Sequence, residues 1–130
     1  MRNRKLILLA GADDGTRRAV EESLRGAGYD LAIAGVGSEA VKVALDRSPA
    51  AAVIDLDLTE LSGLGVIEIL QRARPHLPLV VLAGDASMEV GRRILEMGVF
   101  YFLVKPIDAG EVLSAVESAL AARRGQGAVA

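Results

Sequence analysis

Neither cysteine nor tryptophan occurs among the 130 residues. Without cysteine there are no disulfides and no thiolate metal centres. Aromatic side chains are limited to two Phe and two Tyr, so a core must be built from Leu, Val, Ile and Ala. The one histidine, His76, sits between Pro75 and Pro78 with no partner suggested, which argues against a catalytic triad. A basic surplus is also missing: 15 Lys and Arg face 17 Asp and Glu, a formal net charge of −2, with the two signs interspersed. Direct nucleic-acid contact is therefore not expected. No apolar run approaches the roughly 18 residues that a membrane helix needs. The basic opening Met1-Arg2-Asn3-Arg4-Lys5 precedes an apolar run that stops near Ala10, too short for a signal-peptide core. The expectation is a cytoplasmic protein with no membrane contact. Nor is there a phosphate-binding lysine loop, because Gly11–Gly15 is followed by Thr16 rather than by lysine.

What the chain does have is apolar residues in abundance, 52% of the total, enough for one buried core at this length. Five short runs read as strands: Lys5–Ala10, Asp30–Ala34, Ala51–Leu56, Leu79–Ala83 and Phe100–Val104. They are nearly continuous rather than alternating, as in strands covered on both faces. Helical spacing fills the intervals. The expected helices are Gly15–Ala27 capped by Asp14, Glu39–Arg47 capped by Ser38, Leu64–Ala73, Met88–Met97 capped by Ser87, and Ala109–Arg124 capped by Asp108. Strand and helix alternating five times predicts an α/β fold, a doubly wound five-stranded parallel sheet with helices on both faces. Residues 1–124 form the domain, and the small residues 125–130 are expected to be a flexible tail.

In such sheets chemistry collects at the carboxyl ends of the strands, near the switch in strand order. Asp55 closes the third strand and Lys105 follows the fifth. A carboxylate there is a nucleophile able to take a phosphoryl group as an acyl phosphate, and a facing ammonium stabilises the transferred charge. Each alone reads better as a solvated charge at a strand end. Their combination with Gly63-Leu64 eight residues after Asp55, Lys105-Pro106, Gly28-Tyr29 after the first helix, and Gly98 before the fifth strand resembles the receiver domains of two-component response regulators. The resemblance spans about Lys5 to Arg124 and implies a flavodoxin-like (βα)5 fold. It further implies Asp55 as phosphoacceptor, Lys105 as phosphate contact, and a cis bond before Pro106. Implied partners are a histidine kinase or phosphotransfer protein and a downstream effector protein or domain, with a homodimer as a further option. The implied role is signalling rather than enzymatic, with at most weak self-phosphotransfer and autodephosphorylation.

The chain departs from the family at several points. Family members hold Mg²⁺ with two acidic residues after the first strand, and matching without gaps puts Gly11 and Ala12 there. Asp13 and Asp14 lie two residues too late, and supply ligands only if the first strand slips toward Leu8–Ala12. They read better as a helix cap. Asp57 matches a position where the family uses the backbone carbonyl, and an added carboxylate from its side chain is only a further option. Asp55 and Lys105 together sum to zero charge, so Mg²⁺ binding through Asp55 and the Asp57 carbonyl is expected to be weak or absent. Ala83 stands where the family has a switch Ser or Thr. Phe102 stands at the family's switch aromatic, though core packing accounts for it equally well. The combination predicts an atypical receiver in which phosphorylation is weak or absent. The alternative is an interaction module independent of phosphorylation, to which an apolar-rich fourth helix (Met88, Val90, Ile94, Leu95, Met97) would contribute.

A separate reading comes from Gly35-Val36-Gly37-Ser38-Glu39-Ala40, which fits the G-x-G-x-x-A pattern of nucleotide sites, with Asp55 twenty residues after Gly35. Glu39 counts against it, placing negative charge where a pyrophosphate would sit.

Overall fold

The computed structural model describes residues 4–11, 13–84 and 88–129. Ten elements alternate along the chain: β1 (Leu6–Ala10), α1 (Asp14–Gly26), β2 (Asp30–Ala34), α2 (Gly37–Arg47), β3 (Ala51–Asp55), α3 (Gly63–Ala73), β4 (Leu79–Ala83), α4 (Met88–Glu96), β5 (Tyr101–Val104) and α5 (Ala109–Val129). The strands pair in parallel in the order β2-β1-β3-β4-β5. The order reverses between β1 and β3, which puts the mouth of a doubly wound sheet at their carboxyl ends.

Aliphatic runs make these strands because both faces are covered, and every residue of β3 and β4 is buried. On one face Leu8, Ile54 and Val81 meet Ala40, Ile67, Leu70 and Ile94 from α2, α3 and α4. On the other, Ile7, Val53 and Leu82 meet Val20, Leu24, Val112 and Val116 from α1 and α5. The pairing of Ile7 with Ala51 and Leu9 with Val53 holds β1 at Leu6–Ala10. The two-residue slip that would have carried Asp13 and Asp14 to the strand end is therefore not taken, and Ile7 stays fully buried.

Helix ends differ from expectation by a residue at both ends of α1 and at the end of α4, and more informatively at the places that follow. The α1 cap is Asp13, not Asp14, because Asp13 accepts from both the backbone N–H and the hydroxyl of Thr16, at 3.0 and 2.9 Å. Helix α2 starts at Gly37, and Ser38 is not its cap; no side chain caps it. Helix α3 starts one residue early, with the Ser62 hydroxyl accepting from the Gly65 N–H at 3.2 Å. Helix α5 continues through Val129 instead of stopping at Arg124. Two glycines weaken that end, but extending a formed helix needs no new nucleus and no proline interrupts it. The Ser87 cap expected for α4 lies outside the described residues.

Candidate functional site

Three loops meet at the carboxyl edge of the sheet. Asp55 ends β3, and its side chain is 2% exposed, the one charged residue that is buried among the described residues. Lys105 follows β5. Its backbone N–H donates to the Ala83 carbonyl at 2.8 Å, and the peptide bond to Pro106 is cis, as the resemblance implied. From there the side chain crosses the end of β4. Lys105 Nζ lies 2.9 Å from Asp55 Oδ2 and 3.1 Å from Asp55 Oδ1. A buried carboxylate needs such a partner, since leaving it unpaired is costly.

A third group joins them. The Asp57 N–H donates to Asp55 Oδ1 at 2.8 Å, and the Asp57 carboxylate accepts from Lys105 Nζ at 3.2 Å. The sequence favours a backbone role for Asp57 and leaves an added carboxylate only as a further option. Its side chain enters because residue 57 lies past β3, in a turn that folds back over the strand end. The local charge is therefore −1 − 1 + 1 = −1, not the zero expected from Asp55 and Lys105 alone. Burial would lower the Lys105 pKa, but the hydrogen bonds and charges of Asp55 and Asp57 outweigh it and hold the ammonium above its ordinary 10.5.

Asp13 and Asp14 are engaged elsewhere. Asp13 caps α1, and the Asp14 carboxylate pairs with Arg17 at 3.3 Å. Gly11 has φ +88°, and a Cβ there would fall 2.7 Å from Asp55 Cβ and 3.1 Å from Leu58 Cδ2. The position read as a missing acid is thus one where only glycine fits. Ala12 lies outside the described residues. Among the described residues no three His, Cys, Asp or Glu side chains converge on a common point. A divalent cation would meet two carboxylates that already share one ammonium, at a net charge of −1, with no third acidic side chain converging on them among the described residues, which is a sparse donor set for Mg²⁺.

Ala83 is fully buried at the end of β4. Phe102 is half-buried against the α2–α4 core, with ring Cε2 3.2 Å from where a Gly91 Cβ would stand on α4. On α4, Ile94 is buried, Val90 packs partly on the core and Leu95 is exposed; Met97, just past the helix, also packs partly on the core.

The Gly35–Gly37 segment is occupied from within. The Gly37 and Ser38 N–H groups donate to the Thr59 and Glu60 carbonyls, each at 2.8 Å, and the Gly35 N–H donates to Glu39 Oε1 at 2.9 Å. A Cβ on Gly37 would come within 1.9 Å of the Leu61 carbonyl oxygen. Gly37 admits the loop after Asp55, and the Gly37 and Ser38 N–H groups at the α2 N-terminus are given to that loop and not left for a phosphate. The nucleotide reading is set aside on this geometry.

A family model described as the response regulator receiver domain matches residues 7–117. The photosynthetic apparatus regulatory protein RegA of Cereibacter sphaeroides is 33% identical over 110 residues, covering 85% of this chain and 60% of that protein. The acid tolerance regulatory protein ActR of Rhizobium meliloti is 31% identical over 112 residues, covering 86% and 58%. A putative NtrX-like response regulator of Rickettsia conorii is 24% identical over 104 residues, covering 78% of this chain and 22% of its own length. The chain thus spans from about a fifth to three fifths of these relatives. Among solved structures, a CheY-like receiver domain protein from Methanospirillum hungatei superposes with a TM-score of 0.88 at 22% identity, covering 95% of this chain and 99% of that one. The receiver domain of a putative Luxo repressor protein from Vibrio parahaemolyticus gives 0.90 at 20% identity, covering 98% of each.

Proposed function

Because the chain belongs to the response regulator receiver domain family of two-component signalling, we propose that Asp55 is its phosphoacceptor and Lys105 the residue that meets the transferred phosphate. Receiver domains are in general signalling modules rather than enzymes. The observation that carries the reading is the buried Asp55 carboxylate held 2.9 Å from the Lys105 ammonium at the sheet's carboxyl edge. An Asp55 oxygen attacks phosphorus, the bond from phosphorus to the donor's leaving group breaks, and that group departs with the electron pair. The Lys105 ammonium offsets the negative charge gathered on the phosphoryl oxygens. Loading and self-dephosphorylation are both slow, since this donor set does not supply the divalent cation that would offset most of the developing charge. A histidine kinase or phosphotransfer protein is the upstream partner and an effector protein or domain the downstream one. The net charge of −2 favours protein contacts over direct nucleic-acid contact.

Incubation with acetyl phosphate, with and without Mg²⁺, followed by intact mass measurement, tests the proposal. Slow labelling that Mg²⁺ barely alters and that Asp55→Asn abolishes is expected. Fast, strictly Mg²⁺-dependent labelling of Asp55 would overturn it.

A second reading is an interaction module that never carries phosphate. Ala83 favours it, having no hydroxyl to follow a phosphoryl group, as do the exposed Leu95, Phe100, Tyr101 and Val104. A chain that binds its effector equally well as wild type and as Asp55→Asn fits this reading.

A further inference from the structure

The Asp57 carboxylate has a position that the phosphoacceptor reading leaves unused. It is 71% exposed, yet it lies 3.2 Å from the ammonium that neutralises a nearly buried neighbour. Gly84 lies alongside, where a Cβ would stand in ordinary contact, 3.4 Å from Asp57 Oδ2 and 3.9 Å from Lys105 Cδ. One ammonium therefore serves two carboxylates through contacts of 2.9, 3.1 and 3.2 Å. An ammonium has three N–H donors and no more. Two anions already engage it before any phosphoryl donor arrives.

Resting on the reading of Asp55 as phosphoacceptor, we infer that Asp57 is a positioning residue that withholds Lys105 from the incoming phosphoryl group. The donor must displace the Asp57 carboxylate to gain an N–H of Lys105, and it approaches a site of net charge −1. Asp57 itself makes no bond to phosphorus. Its effect is exerted through Lys105, and the direction is inhibitory. Removing the carboxylate takes the local charge from −1 to −1 + 1 = 0 and frees one donor of Lys105. Because Asp57 is largely solvated, the effect is that of a screened surface charge acting on a phosphoryl dianion, about threefold to tenfold in rate.

The experiment measures acetyl phosphate labelling of the whole chain by intact mass, for wild type, Asp57→Asn, Asp57→Ala, Asp57→Glu and Asp55→Asn, each with and without Mg²⁺. Asp57→Asn and Asp57→Ala are expected to label about threefold to tenfold faster than wild type, and Asp57→Glu to return to the wild-type rate. The gain is expected to shrink as salt is raised, because added ions screen the same charge. A purely structural role for Asp57 predicts no acceleration, no rescue by Glu and no salt dependence. Unchanged or slower labelling in Asp57→Asn, with label still lost in Asp55→Asn, sinks the inference and leaves the phosphoacceptor reading intact. So does an Mg²⁺ stimulation that wild type shows and Asp57→Asn loses, which would make Asp57 a metal ligand. Label that persists in Asp55→Asn sinks the acceptor assignment, and a chain that no variant labels sinks both.

Discussion

Replacing Gly11 by alanine puts a number on the claim that the strand-end acid was not simply lost. The new methyl group would stand 2.7 Å from Asp55 Cβ and 3.1 Å from Leu58 Cδ2, on a backbone with φ +88°. Holding a residue other than glycine in such a conformation costs about 1–3 kcal/mol. Forcing a methyl into filled space adds about 1–3 kcal/mol. The stiffer unfolded chain returns about 0.4–1 kcal/mol. The net destabilisation is then about 1–5.5 kcal/mol, to be set against the roughly 5–15 kcal/mol that a domain usually has. Urea unfolding at pH 7 reads it directly, provided that the slope with denaturant matches wild type. Gly11→Asp is expected to be worse still, since it adds a like charge beside Asp55, and Mg²⁺ is not expected to recover the loss. Alanine tolerated within about 0.5 kcal/mol, the range of neutral surface changes, would refute the steric argument. So would an aspartate variant that folds normally and binds Mg²⁺ tightly.

The remaining predictions use other parts of the molecule. Lys105→Met leaves Asp55 buried and unpaired and is expected to cost about 1–3 kcal/mol in urea unfolding. This is less than a fully enclosed pair would lose, because Lys105 is 26% exposed. Adding Asp55→Asn to Lys105→Met should recover part of that loss. The raised Lys105 pKa means that its ion pairs stabilise the fold undiminished below 10.5 and weaken only as pH rises through the higher folded value, so stability should show no Lys105 step near neutrality. The Asp13 pKa is lowered, chiefly by the hydrogen bond from the Thr16 backbone N–H. Asp13→Ala should therefore lower the melting temperature at pH 7, with the difference from wild type fading as pH falls through the lowered Asp13 value. Gly37→Ala should cost at least about 2–3 kcal/mol in urea unfolding, because the obstacle is the Leu61 backbone carbonyl and not a movable side chain.

The strand and helix order was legible because covered strands need uninterrupted aliphatic runs, and those runs stand out from the 3.6-residue spacing between them. Asp55 and Lys105 were legible because strand-end positions follow from the topology. What escaped was set by contacts between segments. Asp13 and Asp14 both suit a cap, and only the two hydrogen bonds that Thr16 donates to Asp13 decide between them. The start of α2 is satisfied by carbonyls from the loop after β3, which no local pattern encodes. Asp57 looked like a backbone position because the turn that returns its side chain to Lys105 is tertiary geometry. Gly11 looked like a deletion of chemistry because the closeness of Asp55 Cβ is invisible along the chain.

The loop after Asp55 also bears on any attempt to exchange segments between this chain and its relatives. Glu60 and Leu61 adopt φ of 49° and 92°, and the loop fits only where three glycines from two different helices make way for it. Gly63 faces Leu56 Cα, Gly65 faces the Leu61 side chain, and Gly37 faces the Leu61 carbonyl. A graft that carries residues 56–62 alone would bring the shape without its mould. Transplanting it requires moving the first turn of α2 and the first turn of α3 as well, so this edge of the sheet is heritable as one block and not as separable loops.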